Sequence, residues 1–323
     1  NQMGDMVCAT PALRAIKESF PGAALALVTS PVNEEVVRHN PHLKRVVSFE
    51  QGMWRNPTRF FRFLGKLRNF RADVAFVLSS VSFSVTSANI ALFSGARYVV
   101  GSDSGPFGWD ISSRAFSLVM PSYPSQEIHA VEHNLAPLRA IGITTDDLST
   151  VVVPAPEETA FARRILTDLD LAPGFWAIHP GAGKKQNCWP AARFAEIAAR
   201  AVDAGEKILI LHGPADAGPL AELTGLVTDL IGSGVQVAPP CPVGVGAALL
   251  QQADRFLCND TGVMHMAGAL AVPTVALFGP TDPALWKPPA KEVVVVRSGG
   301  RVPDRRGPEF GWMEGIPVDM VWE

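Results

Sequence analysis

At 323 residues the chain is too long for one ordinary core and suits two domains of the usual size. Hydrophobic residues make up 47% and charged residues 18%, and every long stretch is broken by Gly, Pro or polar groups, so the chain is globular rather than disordered. A formal charge of −3 gives no bulk attraction for nucleic acid or anionic lipid, so no nucleic-acid partner is expected, although a local basic patch stays open. Four cysteines, Cys8, Cys188, Cys241 and Cys258, lie far apart without a CxxC pair, which fits a reduced cytosolic protein better than a disulfide or zinc framework. No apolar run approaches the ~20 residues needed to span a bilayer, so the expectation is a soluble protein, at most membrane-peripheral.

Along the chain, residues 1–9 read as a loop that enters a helix: Thr10 can cap it, Pro11 fits the first helical position, Ala12 to Ser19 continues it and Pro21-Gly22 stops it. A strand over Ala24 to Val28 follows. A unit of this type needs a strand before its first helix, so a strand preceding residue 1 is expected. Short apolar runs at Arg45 to Phe49, Val74 to Leu78 and Tyr98 to Val100 alternate with helical stretches over Thr58 to Asn69 and Val85 to Phe93, which makes the first half α/β. The sequence turns polar and Pro-rich around Thr144 to Pro156 before a helix over Glu157 to Asp168, placing a domain boundary at 155, with domains 1–155 and 156–323. In the second half, strands at Phe175 to Ile178, Lys207 to Leu211, Gln236 to Ala238, Arg255 to Cys258, Thr274 to Phe278 and Val293 to Val296 are separated by helical segments. That is a parallel, doubly wound pattern, and ligands bind such sheets at the carboxyl ends of the strands.

The strongest chemical signal is the strand Arg255 to Cys258 running into Asn259-Asp260-Thr261-Gly262 and then a helix over Val263 to Leu270. A helix amino terminus offers unpaired N–H groups and a partial positive charge, Gly262 lets the backbone approach a ligand, Thr261 adds a hydroxyl, and His265 adds a donor one turn in. Together they suit a phosphate. The plainer reading makes Asp260 a helix cap and His265 a packed side chain. A second strand–loop, His179-Pro180-Gly181-Ala182-Gly183-Lys184-Lys185-Gln186-Asn187-Cys188-Trp189-Pro190, brings glycines and two lysines to the same sheet edge, where both loops can grip one pyrophosphate. Solvated lysines are its plainer reading. A third loop, Phe278-Gly279-Pro280-Thr281-Asp282-Pro283, reads as a rigid turn. Asp216, after the strand ending at His212-Gly213, is a candidate for ribose binding against an ordinary exposed helix-start Asp. The loops around Gly52-Met53-Trp54-Arg55 and Ser102 to Asp110 carry no interpretable motif.

Taken in order, Gly4-Asp5-Met6-Val7, His179-Pro180-Gly181 with Trp189-Pro190, Asp260-Thr261-Gly262 with His265, and Phe278-Gly279-Pro280-Thr281 resemble the family 9 glycosyltransferases, the ADP-heptose:lipopolysaccharide heptosyltransferases. The resemblance implies an α/β GT-B fold, two Rossmann-like domains with a cleft between them. The first domain would bind the acceptor and the second a nucleoside-diphosphate sugar, with no metal or other cofactor. Transfer would invert the anomeric carbon and use ADP-heptose as donor and a lipid-linked oligosaccharide as acceptor, placing the protein in the cytoplasm or peripherally at the inner membrane. Carried over residue by residue, the general base falls on Asp5, the donor-contacting acid on Asp260 and the phosphate contacts on Thr261, Gly262 and His265, with Gly181, Lys184, Lys185 and Asn187 beside them.

Two positions depart from the family pattern: Asn187 stands where a Lys is common, and Trp312 where a Cys often stands, in Gly311 to Pro317. A closing helix beyond residue 323 is expected from the same resemblance. The rival readings are a nucleotide-sugar epimerase, which needs no acceptor, and a non-catalytic nucleotide-sugar-binding module, which tolerates loss of Asp5.

Overall fold

A computed structural model of the chain describes residues 3–78, 82–122, 128–298 and 312–323. Contacts divide it into two units, one of Cys8–Ser149 and one of Thr150–Glu323 together with residues 3–7. The junction lies inside the polar stretch read from the sequence.

Helix α1 (Met3–Cys8) belongs to the second unit up to residue 7 and runs into α2 (Thr10–Ser19) of the first, with Pro11 at the start of α2, followed by β1 (Ala26–Thr29), α3 (Pro31–Val37) and β2 (Arg45–Ser48). Next come α4 (Pro57–Arg68), β3 (Val74–Val77), α5 (Val85–Phe93), β4 (Tyr98–Ser102), α6 (Ser112–Ala115), β5 (Leu118–Met120) and α7 (Ala130–Arg139). Among the described residues the strands form a parallel β1–β2 pair and a parallel β3–β4–β5 sheet. Phe63, Leu64 and Leu67 repeat at helical spacing, so α4 covers Val47 of β2 with one face. Val77, Ala88, Ala91, Val99 and Phe116 form a second cluster. Buried Arg14 of α2 secures the end of the unit: its guanidinium donates to the Ser149 carbonyl at 3.0 Å and pairs with the Asp147 carboxylate at 3.1 Å.

The second unit follows the sequence reading closely. Its elements are α8 (Pro156–Asp168), β6 (Trp176–His179), α9 (Ala191–Asp203), β7 (Ile208–Ile210), α10 (Ala217–Leu226), β8 (Val235–Val237) and α11 (Val243–Leu250), then β9 (Arg255–Asn259), α12 (Gly262–Ala269), β10 (Thr274–Phe278), α13 (Pro283–Trp286), β11 (Val293–Arg297) and α14 (Val318–Trp322). The six strands pair in parallel in the order β11-β10-β9-β6-β7-β8. A parallel sheet covered on both faces needs strands that are apolar along their length, and β7 and β10 are nearly so. Phe194, Ile197, Ala198 and Ala201 of α9 pack on Ile178, Ile208 and Ile210, and Val318 and Val321 of α14 extend that core.

The strand order fixes where a ligand goes. The first strand of this unit, β6, lies beside its fourth, β9, and the winding reverses between them. Connections on either side of such a reversal diverge and leave a crevice at the carboxyl ends. His179 closes β6 and Asn259 closes β9, and the register pairs His179 with Cys258.

Candidate functional site

Asn259 ties the loop after β6 to the end of β9. Its side chain is fully buried. Nδ2 donates to the carbonyls of Pro180 at 2.8 Å and Gly181 at 3.2 Å, while Oδ1 accepts the Trp189 N–H at 2.9 Å. One amide thus satisfies both ends of the 180–189 loop, whose buried backbone groups would otherwise lack partners. Asn259 therefore does not line a ligand surface, although it opens the phosphate-site motif. The far end of the loop is sealed by the indole of Trp189, which donates to the Ile316 carbonyl at 3.0 Å, and by Met313, buried against Gly279. Sequence reading missed this buttress of Met313 and Ile316. Its signal was the family-like segment Gly311 to Pro317 that contains both residues.

His179 and Asp216 hold the other side. His179 Nε2 lies 3.1 Å from Asp216 Oδ2, and its Nδ1 lies 3.3 Å from the Gly181 carbonyl oxygen. Both partners are acceptors, so both contacts are hydrogen bonds only when the ring carries two protons. Burial pushes the Asp216 carboxyl up, but the bond and charge of His179 and the Gly213 N–H, which donates at 2.6 Å, outweigh it and leave the carboxyl below its ordinary value. Asp216 is 7% exposed and packs so closely under Gly181 that a Cβ there would collide with its carboxylate. Asp216 is thus neither an exposed helix cap nor a carboxylate open to a ribose; it supports the loop.

The loop then meets the β9–α12 turn. Asn187, buried in the short turn Lys185–Asn187, donates through Nδ2 to Asp260 Oδ2 at 3.0 Å and to Thr281 Oγ1 at 3.3 Å. All three loops named from the sequence converge on this cluster. Burial pushes the Asp260 carboxyl above its ordinary value, against the Thr281 hydroxyl, the Lys184 charge and the Asn187 amide. The two lysines differ: Lys184 acts on Asp260, whereas the Lys185 charge acts on Cys188, whose thiol burial raises. Thr261 caps α12 in an extended conformation without spending its hydroxyl on a cap bond, and Gly262 begins the helix.

Residues 3–7 complete the second unit here. Asp5 lies in the first turn of α1, not in a loop: Pro11 marks a helix start, but the helical run begins earlier than that signal. Gly4 packs on the His265 ring, where a Cβ would come within 2.7 Å of Cδ2. A Cβ at Gly262 would come within 3.1 Å of Met3 Cβ and 3.3 Å of the Gly4 nitrogen. The glycines let α1 and the amino end of α12 touch, with Asp5 next in the chain after the contacting Gly4. His265 itself is 4% exposed.

The model of glycosyltransferase family 9 (heptosyltransferase) matches residues 62–308. The chain belongs to this family. As a glycosyltransferase of this heptosyltransferase family it is 22% identical over 303 residues to Escherichia coli lipopolysaccharide heptosyltransferase 3, covering 92% of this chain and 86% of that relative. Its fold matches the crystal structure of the family 9 glycosyl transferase from Veillonella parvula with a TM-score of 0.82 at 18% identity, over all of this chain and 93% of that one. It matches the E. coli ADP-heptose LPS heptosyltransferase II with a TM-score of 0.80 at 20% identity, over 99% and 94%. These likenesses establish the GT-B fold that the motifs implied.

Proposed function

We propose that this family 9 enzyme transfers a heptose or related sugar from a nucleoside diphosphate, ADP by preference, to a hydroxyl of a lipopolysaccharide-core-like acceptor, with inversion and with Asp5 as the general base. The observation that carries the reading is the packing of Gly4 and Met3 on His265 and Gly262. This supports the reading because Asp5 follows Gly4 directly in the chain, and Gly4 and Met3 pack on the helix start whose composition suits a diphosphate.

In this scheme Asp5 takes the acceptor hydroxyl's proton as that oxygen bonds to the anomeric carbon from the face opposite the leaving group. The bond from that carbon to the diphosphate oxygen breaks, and its electron pair leaves with the nucleoside diphosphate. Negative charge grows on the diphosphate, where the first N–H groups of α12, the Thr261 hydroxyl and the Lys184 ammonium meet it. Lys184 rather than Lys185 is assigned the role of the family's cation, because its charge reaches Asp260 while Asn187, at the family's Lys position, is engaged with Asp260 and Thr281. No metal is assigned a part. The donor falls to the second unit and acceptor recognition to the first.

A binding screen of ADP, GDP and UDP sugars, followed by mass spectrometry of products with and without a core-oligosaccharide acceptor, tests the proposal. An acceptor that gains one heptose mass from the ADP sugar is the expected result. Sugar isomerised without acceptor, or nucleotide bound without turnover, would point to the rival chemistries instead.

A further inference from the structure

The chain's net charge of −3 conceals a strongly basic segment. Residues 50–71 carry six Arg and Lys side chains against one carboxylate, Glu50, a net of +5. Five of the six lie on α4 or on the short turn before it, Met53–Arg55, and Arg71 follows the helix. Because α4 turns Phe63, Leu64 and Leu67 into the core, helical spacing sends Phe61, Arg62 and Lys66 to its outer side. Phe61 is 69% and Trp54 63% exposed, the two most exposed large apolar side chains among the described residues. The Arg55 guanidinium sits 5.3 Å above the Trp54 ring, and the one acid, Glu50, is already paired with Arg59 at 3.2 Å. Two exposed aromatic rings set among a net excess of cations suit a layer that is apolar below and anionic above.

We propose that the Met53–Arg55 turn and α4 form a docking face for a membrane surface rich in anionic lipid, with Trp54 and Phe61 entering the headgroup–acyl boundary while Arg62 and Lys66 meet the headgroup phosphates. Charge complementarity selects the anionic headgroup, and the exposed rings select a bilayer over an acidic protein, which would need only the cations. No helix among the described residues is long and apolar enough to cross a membrane. The inference goes beyond the transfer reaction and uses neither Asp5 nor the donor loops.

Co-sedimentation with vesicles tests it without acceptor or nucleotide. The protein should bind phosphatidylcholine vesicles that contain phosphatidylglycerol, should ignore pure phosphatidylcholine, and should be released by salt. Arg62→Gln with Lys66→Gln, and separately Trp54→Ser with Phe61→Ser, should each lower binding on the order of tenfold. ADP titration of the same variants should give unchanged affinity, which shows that they are folded and keeps this result separate from the fate of the transferase reading. Failure of the parent to bind anionic vesicles at low salt would overturn the proposal. So would full binding by either double variant, or equal binding of a short single-stranded oligonucleotide, which would mark a general polyanion surface.

Discussion

Asp216 makes loop geometry depend on protonation. Its carboxyl is held below its ordinary value of about 3.9, chiefly by the His179 ring acting against burial. A depressed carboxyl contributes stability that is complete above its unfolded value and is lost as pH falls through its folded value. Thermal melting from about pH 6 to about pH 3 should therefore show an acid-side loss that Asp216→Asn removes, whereas parallel curves for the two proteins would contradict the pairing. At neutral pH, Asp216→Ala leaves His179 without its partner and should cost about 3 kcal/mol. His265 presents a different case, since it is nearly buried yet stands one turn inside α12. His265→Ala should weaken nucleotide-sugar binding by about 1–3 kcal/mol in a calorimetric titration while the protein stays folded. Unchanged affinity would leave His265 as a packed side chain.

At the scale of elements, Gly181 links the loop to its support. In Gly181→Ala the new methyl collides with Asp216, so either the loop lifts or the His179–Asp216 pair opens. The variant should lose about 1–3 kcal/mol of stability and bind ADP more weakly; a melt and a titration identical to the parent's would contradict the close packing. The same elements show how far sequence carries. Strands β6 to β11 were legible because each is a short apolar run with turn residues close by, and α5 was read at its own bounds, Val85–Phe93, although it carries no marked apolar stripe. Helix α7 was not, since Pro137 lies inside it and reads as a breaker. Strand β5 is three residues long with two of them exposed, so its period is too short to register. In the site, Asp260 and Gly262 were legible as strand-end residues, and Asn187 through its place in the family pattern. The Asn259 amide, the His179–Asp216 pair and the Met313–Ile316 buttress were not, because each joins segments that only the folded sheet brings together.

For the whole molecule, the α/β halves were readable from alternating strands and helices and the family from four short motifs in order, whereas the +5 segment is invisible in a total charge of −3. What the sequence did not convey is that residues 3–7 belong with the second unit, so that Asp5 stands on the same body as Asp260 and His265. A single-turnover transfer assay of Asp5→Asn with saturating ADP-sugar and acceptor tests the role of Asp5 most directly, with thermal melting and donor affinity measured beside it. The amide keeps the shape of the carboxylate but cannot accept a proton, so the chemical step should slow on the order of 10²–10⁴-fold while donor affinity and melting stay near the parent's. Transfer at the parental rate would contradict the account and remove Asp5 as the base.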